Sequence, residues 1–159
     1  MRNIFTILAL SLTVSVMAQT HEITKHNGET MEVNFIKIEN NLVYYTNIES
    51  NEEKKVSQFA ISQLHEKSKN EAKTISEKIM PSGKADYTKV IVLNASQTEG
   101  LRESGTITSF LGKTKGETNQ SFKDGATRRL KQNAADKGYP FIVILSTKSK
   151  DLKAVMYTY

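Results

Sequence analysis

Two short apolar runs, Val90-Ile91-Val92-Leu93 and Phe141-Ile142-Val143-Ile144-Leu145, constrain this chain more than any other feature. Neither contains a polar residue, and each is bounded by charged or turn-forming residues. Such a run reads as a strand buried on both faces, which therefore needs cover on both faces. Residues 106–111 offer another strand and residues 152–159 a closing one. Between them Phe122, Ala126, Leu130 and Ala134 recur every fourth position. At 100° per residue these four span about 120°, one packing stripe of a helix. Asn119 or Ser121 can cap that helix, and Lys137-Gly138-Tyr139-Pro140 ends it. The order is β-β-α-β-β. One helix shields one face only, so the earlier part of the chain, the connecting segment or a second copy of the protein is expected to cover the other. Burying several hundred Å² there contributes several kcal/mol at about 25 cal/mol per Å².

The first half has a different pattern. Asn27-Gly28 lies between strand-like stretches at 22–25 and 30–39, the strongest short signal for a hairpin. Met31, Val33 and Phe35 share one parity and Ile36 and Ile38 the other, which predicts a bulge or a bent strand. Further strands are expected at 42–46, 54–58 and 64–67, with one helical turn at 59–63 before the last. Five short curved strands in this order predict a small SH3-like or Sm-like barrel. Residues 69–83 are polar and end in Met80-Pro81-Ser82-Gly83, a tether or short helix, although Ile75 and Ile79 also suit one face of a strand.

Two resemblances follow. Ile23, Asn27-Gly28-Glu29, Val43-Tyr44-Tyr45 and Ala60-Ile61-Ser62-Gln63-Leu64 resemble an N-terminal SH3-like module of exported bacterial proteins, which implies a fold and secretion but no activity. Gly100-Leu101, Gly105-Thr106-Ile107, Ala126, Leu130, Ala134-Ala135 and Gly138-Tyr139-Pro140-Phe141-Ile142-Val143 resemble the RcsF envelope-stress sensors and the YbjQ-like heavy-metal-binding family. Tyr139-Pro140 replaces the Ala-Asn usual in that turn, and the cysteines that staple an RcsF-like domain are missing.

Residues 1–18 have the form of a secretory signal peptide: Arg2 at the start, an apolar run from Ile4 to Val16, and small Ala18 before Gln19. Cleavage between Ala18 and Gln19 is expected, with a periplasmic or secreted product. The run has about a dozen truly apolar residues, against the roughly 20 of a membrane span. There is no cysteine, so the fold relies on its core instead of disulfides, and a lipobox is excluded. No membrane anchor is therefore expected after cleavage.

Charge is uneven. Residues 19–83 hold 8 Lys and Arg against 10 Asp and Glu, a net of −2, and residues 84–159 hold 13 against 7, a net of +6. Lys123, Arg128, Arg129 and Lys131 give the helix a basic face, the candidate contact for an anionic envelope component or an acidic protein. Export argues against nucleic acid as the partner. Gly112-Lys113-Thr114 looks like the end of a phosphate loop, but Ile107 stands where its first glycine belongs. His21 and His26, with Glu22 or Glu29, reach at most two histidine ligands for a metal and read as solvated hairpin residues, and His65 lies apart. Tyr44, Tyr45, Tyr157 and Tyr159 read first as core or edge-strand residues. No nucleophile elbow, thiol or cofactor motif is present, so no cofactor and no catalysis are expected.

The sequence thus predicts an α+β protein: a signal peptide at 1–18, a small β-barrel at 19–68, a linker at 69–83 and an α+β domain at 84–159. Its expected role is non-catalytic binding or structural service in a Gram-negative envelope, with a homo-oligomer as one arrangement. A binder of an anionic envelope ligand through the basic helix is the alternative, and a hydrolase-like enzyme of unrecognised site the weakest.

Overall fold

The structure is a computed structural model that describes residues 20–110, 115–145 and 151–159. The leader with its Ala18-Gln19 cleavage site, and Gly112-Lys113-Thr114, lie outside the described residues. The fold is α+β and mostly β: a six-stranded sheet, a four-stranded sheet and one long helix.

Strands β1 (Thr20–Lys25), β2 (Thr30–Glu39), β3 (Leu42–Asn47), β4 (Glu53–Ser57), β5 (Ile61–Glu66) and β6 (Glu71–Thr74) form the first sheet. Their order is β4-β3-β2-β1-β5-β6. The hairpin between β1 and β2 turns at Asn27-Gly28, where Gly28 takes φ +90° and Asn27 Oδ1 accepts the Glu29 N–H at 3.0 Å. β2 shifts register against β3 between Phe35 and Lys37, so the parity change at Ile36 is a bulge. A 3-10 turn, Gln58–Ala60, leads from β4 into β5. Ile23, Val33, Val43, Val56, Ile61 and Leu64 pack as the core.

The expected barrel does not close. β4 and β6 stand at opposite ends of the sheet, and no pairing among the described residues joins them. The cause is residues 69–83, which are more than a tether: β6 pairs antiparallel with β5 from Gln63 opposite Thr74 to Glu66 opposite Glu71, and so occupies the edge that closure would use. After β6 the chain stays extended, with Ile75 donating its N–H to Ser62 O at 2.9 Å. The short helix expected within 69–83 does not form.

The second sheet has the order β7-β9-β10-β8, from β7 (Ile91–Leu93), β8 (Arg102–Phe110), β9 (Phe141–Ile144) and β10 (Asp151–Thr158). β7 and β9 are parallel and the other pairs antiparallel. Helix α1 (Asn119–Asp136) lies on one face and buries Ala126, Leu130, Ala134 and Ala135 against Ile107, Ile142, Leu152, Ala154 and Met156. Its N-cap is not Asn119 or Ser121 but Thr118, and the Thr118 hydroxyl accepts the Ser121 N–H at 3.1 Å. A 3-10 segment, Lys84–Lys89, packs along the helix with Tyr87 against the core.

Cover for the second face comes from within the chain. Leu93, Phe141 and Val143 are buried there beneath Phe59 of the 3-10 turn after β4, Ile79 of the connecting segment, and Leu101. Phe59 and Phe141 lie with ring centroids 5.7 Å apart. Polar ties flank this seam: Ser57 donates its N–H to Glu99 O at 2.8 Å, and Gln97 Nε2 donates to Asn40 O at 3.0 Å.

Candidate functional site

An open groove of about 590 Å³ lies beside the outer edge of β4. Lys25, Tyr44, Tyr45, Glu53, Lys54, Lys55, Val56, Glu99 and Gly100 line it. The pairing of β3 with β4 sets Tyr44 opposite Lys55 and Tyr45 opposite Lys54, so the two tyrosines lie on opposite faces of the sheet. The groove therefore wraps around the β4 edge, between that edge and the turn at Glu99 and Gly100.

The edge itself is half used. In an antiparallel strand alternate residues turn both backbone groups the same way. Ser57 points its N–H away from β3 to Glu99 O, whereas Gln58 points inward and donates to Asn41 O at 2.9 Å. Lys55 and Glu53 share the parity of Ser57, so their backbone groups also face outward. Among the described residues nothing accepts the Lys55 N–H.

Charges around the groove are mixed. Lys25 Nζ meets Glu29 Oε2 at 3.0 Å, and that ammonium hydrogen bond holds the Glu29 carboxyl below its usual range. Lys54 reaches Glu52 at 3.8 Å. Lys55 has no ion pair among the described residues. Burial, then the charges of Glu29 and Glu99, push the Tyr45 phenol pKa up, so it stays a neutral donor. Lys37 Nζ lies 5.2 Å from the Tyr44 ring centroid. Tyrosine rings, ammonium groups and an outward-facing strand edge thus lie side by side.

The four basic residues of α1 do not converge. Lys123 is exposed near the start of the helix, and Lys131 lies half-buried two turns further on. The Arg128 guanidinium sits over the Tyr87 ring, 5.2 Å from its centroid. Arg129 turns to a separate cavity of about 320 Å³ that it lines with Lys84.

The first two histidines are not solvated hairpin residues. His21 is buried, with its ring centroid 5.5 Å from that of Phe35. His26 is part-buried, bonded through Nε2 to Ser76 Oγ at 2.9 Å and set against Tyr159. His65 bonds to Asn70 Oδ1 at 3.2 Å. Among the described residues no group of three or more His, Cys, Asp or Glu could hold a metal ion. Nor is any described helix long and apolar enough to cross a membrane. The tyrosines divide: Tyr44 lines the groove, Tyr45 belongs to the core of the first sheet and reaches the groove at its margin, and Tyr157 and Tyr159 pack against Phe141 and its neighbours.

Sequence reasoning missed the edge of β4 and the turn at Glu99 as parts of one site. Only the Lys54-Lys55 pair could have marked the edge, since lysines are a common guard on unpaired strands. The chain matches no protein-family model, no curated protein and no solved structure.

Proposed function

We propose that the protein is an exported, non-catalytic binding protein of the bacterial envelope that takes an extended segment of a partner protein along the outer edge of β4. The observation that carries this reading is the outward, unmatched N–H of Lys55 at the border of the tyrosine-lined groove. A guest strand would complete the backbone ladder there and lay the side chains of one face towards Tyr44. Lys54 and Lys55 favour a strand bearing carboxylates. The leader at 1–18 supports export. The strand order β4-β3-β2-β1-β5, with a 3-10 turn between β4 and β5, supports an SH3-like ancestry for the first sheet.

Selection of a random peptide library on immobilised mature protein tests the proposal. Recovered peptides are expected to be extended, with acidic residues at alternate positions, and to lose most of their affinity for Lys55→Pro. Proline removes the outward N–H and is tolerated on an edge. Peptides that bind Lys55→Pro as well as wild type, or a selection that enriches nothing, would refute it.

A further inference from the structure

A second cavity lies beside Arg129, apart from the β4 groove. It lies between α1, β8 and the start of the 3-10 segment, and among the described residues its lining is Lys84, Thr108, Ser109, Arg129, Gln132 and Asn133. Every one of these side chains can donate a hydrogen bond, and none is a carboxylate. Ser109 stands on the face of β8 that α1 covers, two residues beyond Ile107 of the helix-side core. It is only 1% exposed, and its Oγ has no hydrogen-bond partner among the described residues. A buried hydroxyl without a partner costs about 1–3 kcal/mol, so a group that completes it is favoured there. Asn133 spends one amide hydrogen on Thr108 O at 3.4 Å. The carboxylate of Asp136 stays outside the lining, 3.9 Å from Lys84 Nζ.

We infer that this cavity binds a phosphate-bearing ligand, whose oxygens accept from the Ser109 hydroxyl, the Arg129 guanidinium and the Lys84 ammonium. Several donors arriving from a helix, a strand and a 3-10 segment suit a tetrahedral oxyanion better than a planar carboxylate. At about 320 Å³ the space exceeds a lone phosphate ion, and so admits a small organic phosphate or the headgroup of a phospholipid.

Calorimetric titration of the mature protein with inorganic phosphate, with glycerol 3-phosphate and with vesicles containing phosphatidic acid tests the site and separates its sources. Binding to glycerol 3-phosphate is expected to weaken by about tenfold or more in Arg129→Gln and in Lys84→Gln, the usual range for losing a charge-assisted hydrogen bond. Ser109→Ala should weaken it several-fold, and Lys123→Gln, on the same helix outside the cavity, should not change it. Lys84 is exposed at the surface, so its variant folds even if another does not. Binding to vesicles alone, lost in Arg129→Gln, would assign the headgroup of a lipid as the source. No binding to any of the three probes, binding indifferent to Arg129→Gln and Lys84→Gln, or an equal loss in Lys123→Gln would overturn the inference.

Discussion

His26 meets Tyr159 edge to face, with ring centroids 4.8 Å apart, and so joins the first hairpin to the last strand. The connecting segment closes over the same pair: Ile79 donates its N–H to the Tyr159 hydroxyl at 2.8 Å, and Lys78 Nζ reaches His26 O at 3.3 Å. Burial, followed by the charge of Lys78, lowers the pKa of His26 below 6.5, with a hydrogen bond to the Ser76 backbone opposing in part. Ser76 Oγ, 2.9 Å from His26 Nε2, also donates to Ile61 O at 2.7 Å and so ties the ring to β5.

A pH dependence follows from this clamp. Because the folded pKa lies below the unfolded value, the unfolded chain binds more protons in the interval between them. The stability held by neutral His26 is full above pH 6.5 and declines as pH falls through the folded pKa. Thermal midpoints between pH 7.5 and pH 5 should therefore drop for the wild type, and His26→Gln should lack this step. The carboxylate losses come lower, since Lys89 and Ser82 hold Asp86 at about 2. Identical pH profiles for the two proteins would contradict the assignment.

The shared seam predicts mutual dependence of the two sheets. Expressed alone, residues 84–159 would expose Phe141, Leu93 and Val143, which are at most 7% exposed in the whole chain. The fragment should self-associate or unfold. In the full chain Phe59→Ala should cost about 1–3 kcal/mol, less than the 3–5 of a fully buried phenylalanine. Denaturant unfolding and sedimentation measure both, and a stable monomeric fragment would show that the seam is dispensable.

Gly100 adopts φ +79°, and a Cβ placed there would stand 2.5 Å from Val56 Cγ2. Gly100→Ala should lose about 2–4 kcal/mol, from left-handed strain together with overpacking. Adding Val56→Ala removes the clash and leaves the strain. The double variant should therefore be more stable than the sum of the single changes implies. Additive losses in denaturant titration would mean that the contact relaxes freely.

Local chemistry was legible in the sequence, and long-range placement was not. Asn27-Gly28 sets its own hairpin, and Ala126, Leu130 and Ala134 set a helix face, because each signal resides in neighbouring residues. Strand β6 was hidden because all of Glu71, Ala72, Lys73 and Thr74 are exposed, so no apolar alternation marks them. Only its pairing with β5 makes it a strand, and that pairing is what keeps the sheet from closing. Arg129 was singled out as part of a solvent face, but its partner Lys84 comes from a segment 45 positions earlier. Ser109, a small polar residue in a strand, gives no signal of its burial until α1 is in place. His26 read as solvated because Tyr159, which covers it, lies at the far end of the numbering.

The proposed binding mode rests on the vacant edge of β4, and residue-resolved amide exchange reads that edge directly. In the free protein the Lys55 N–H should exchange quickly, while that of Val56, turned inward to β3, is protected. A peptide recovered by selection should slow Lys55 at least about tenfold, as expected when a ladder hydrogen bond forms. Slow exchange at Lys55 in the free protein, or no change on saturation with the peptide, would contradict strand addition at this edge.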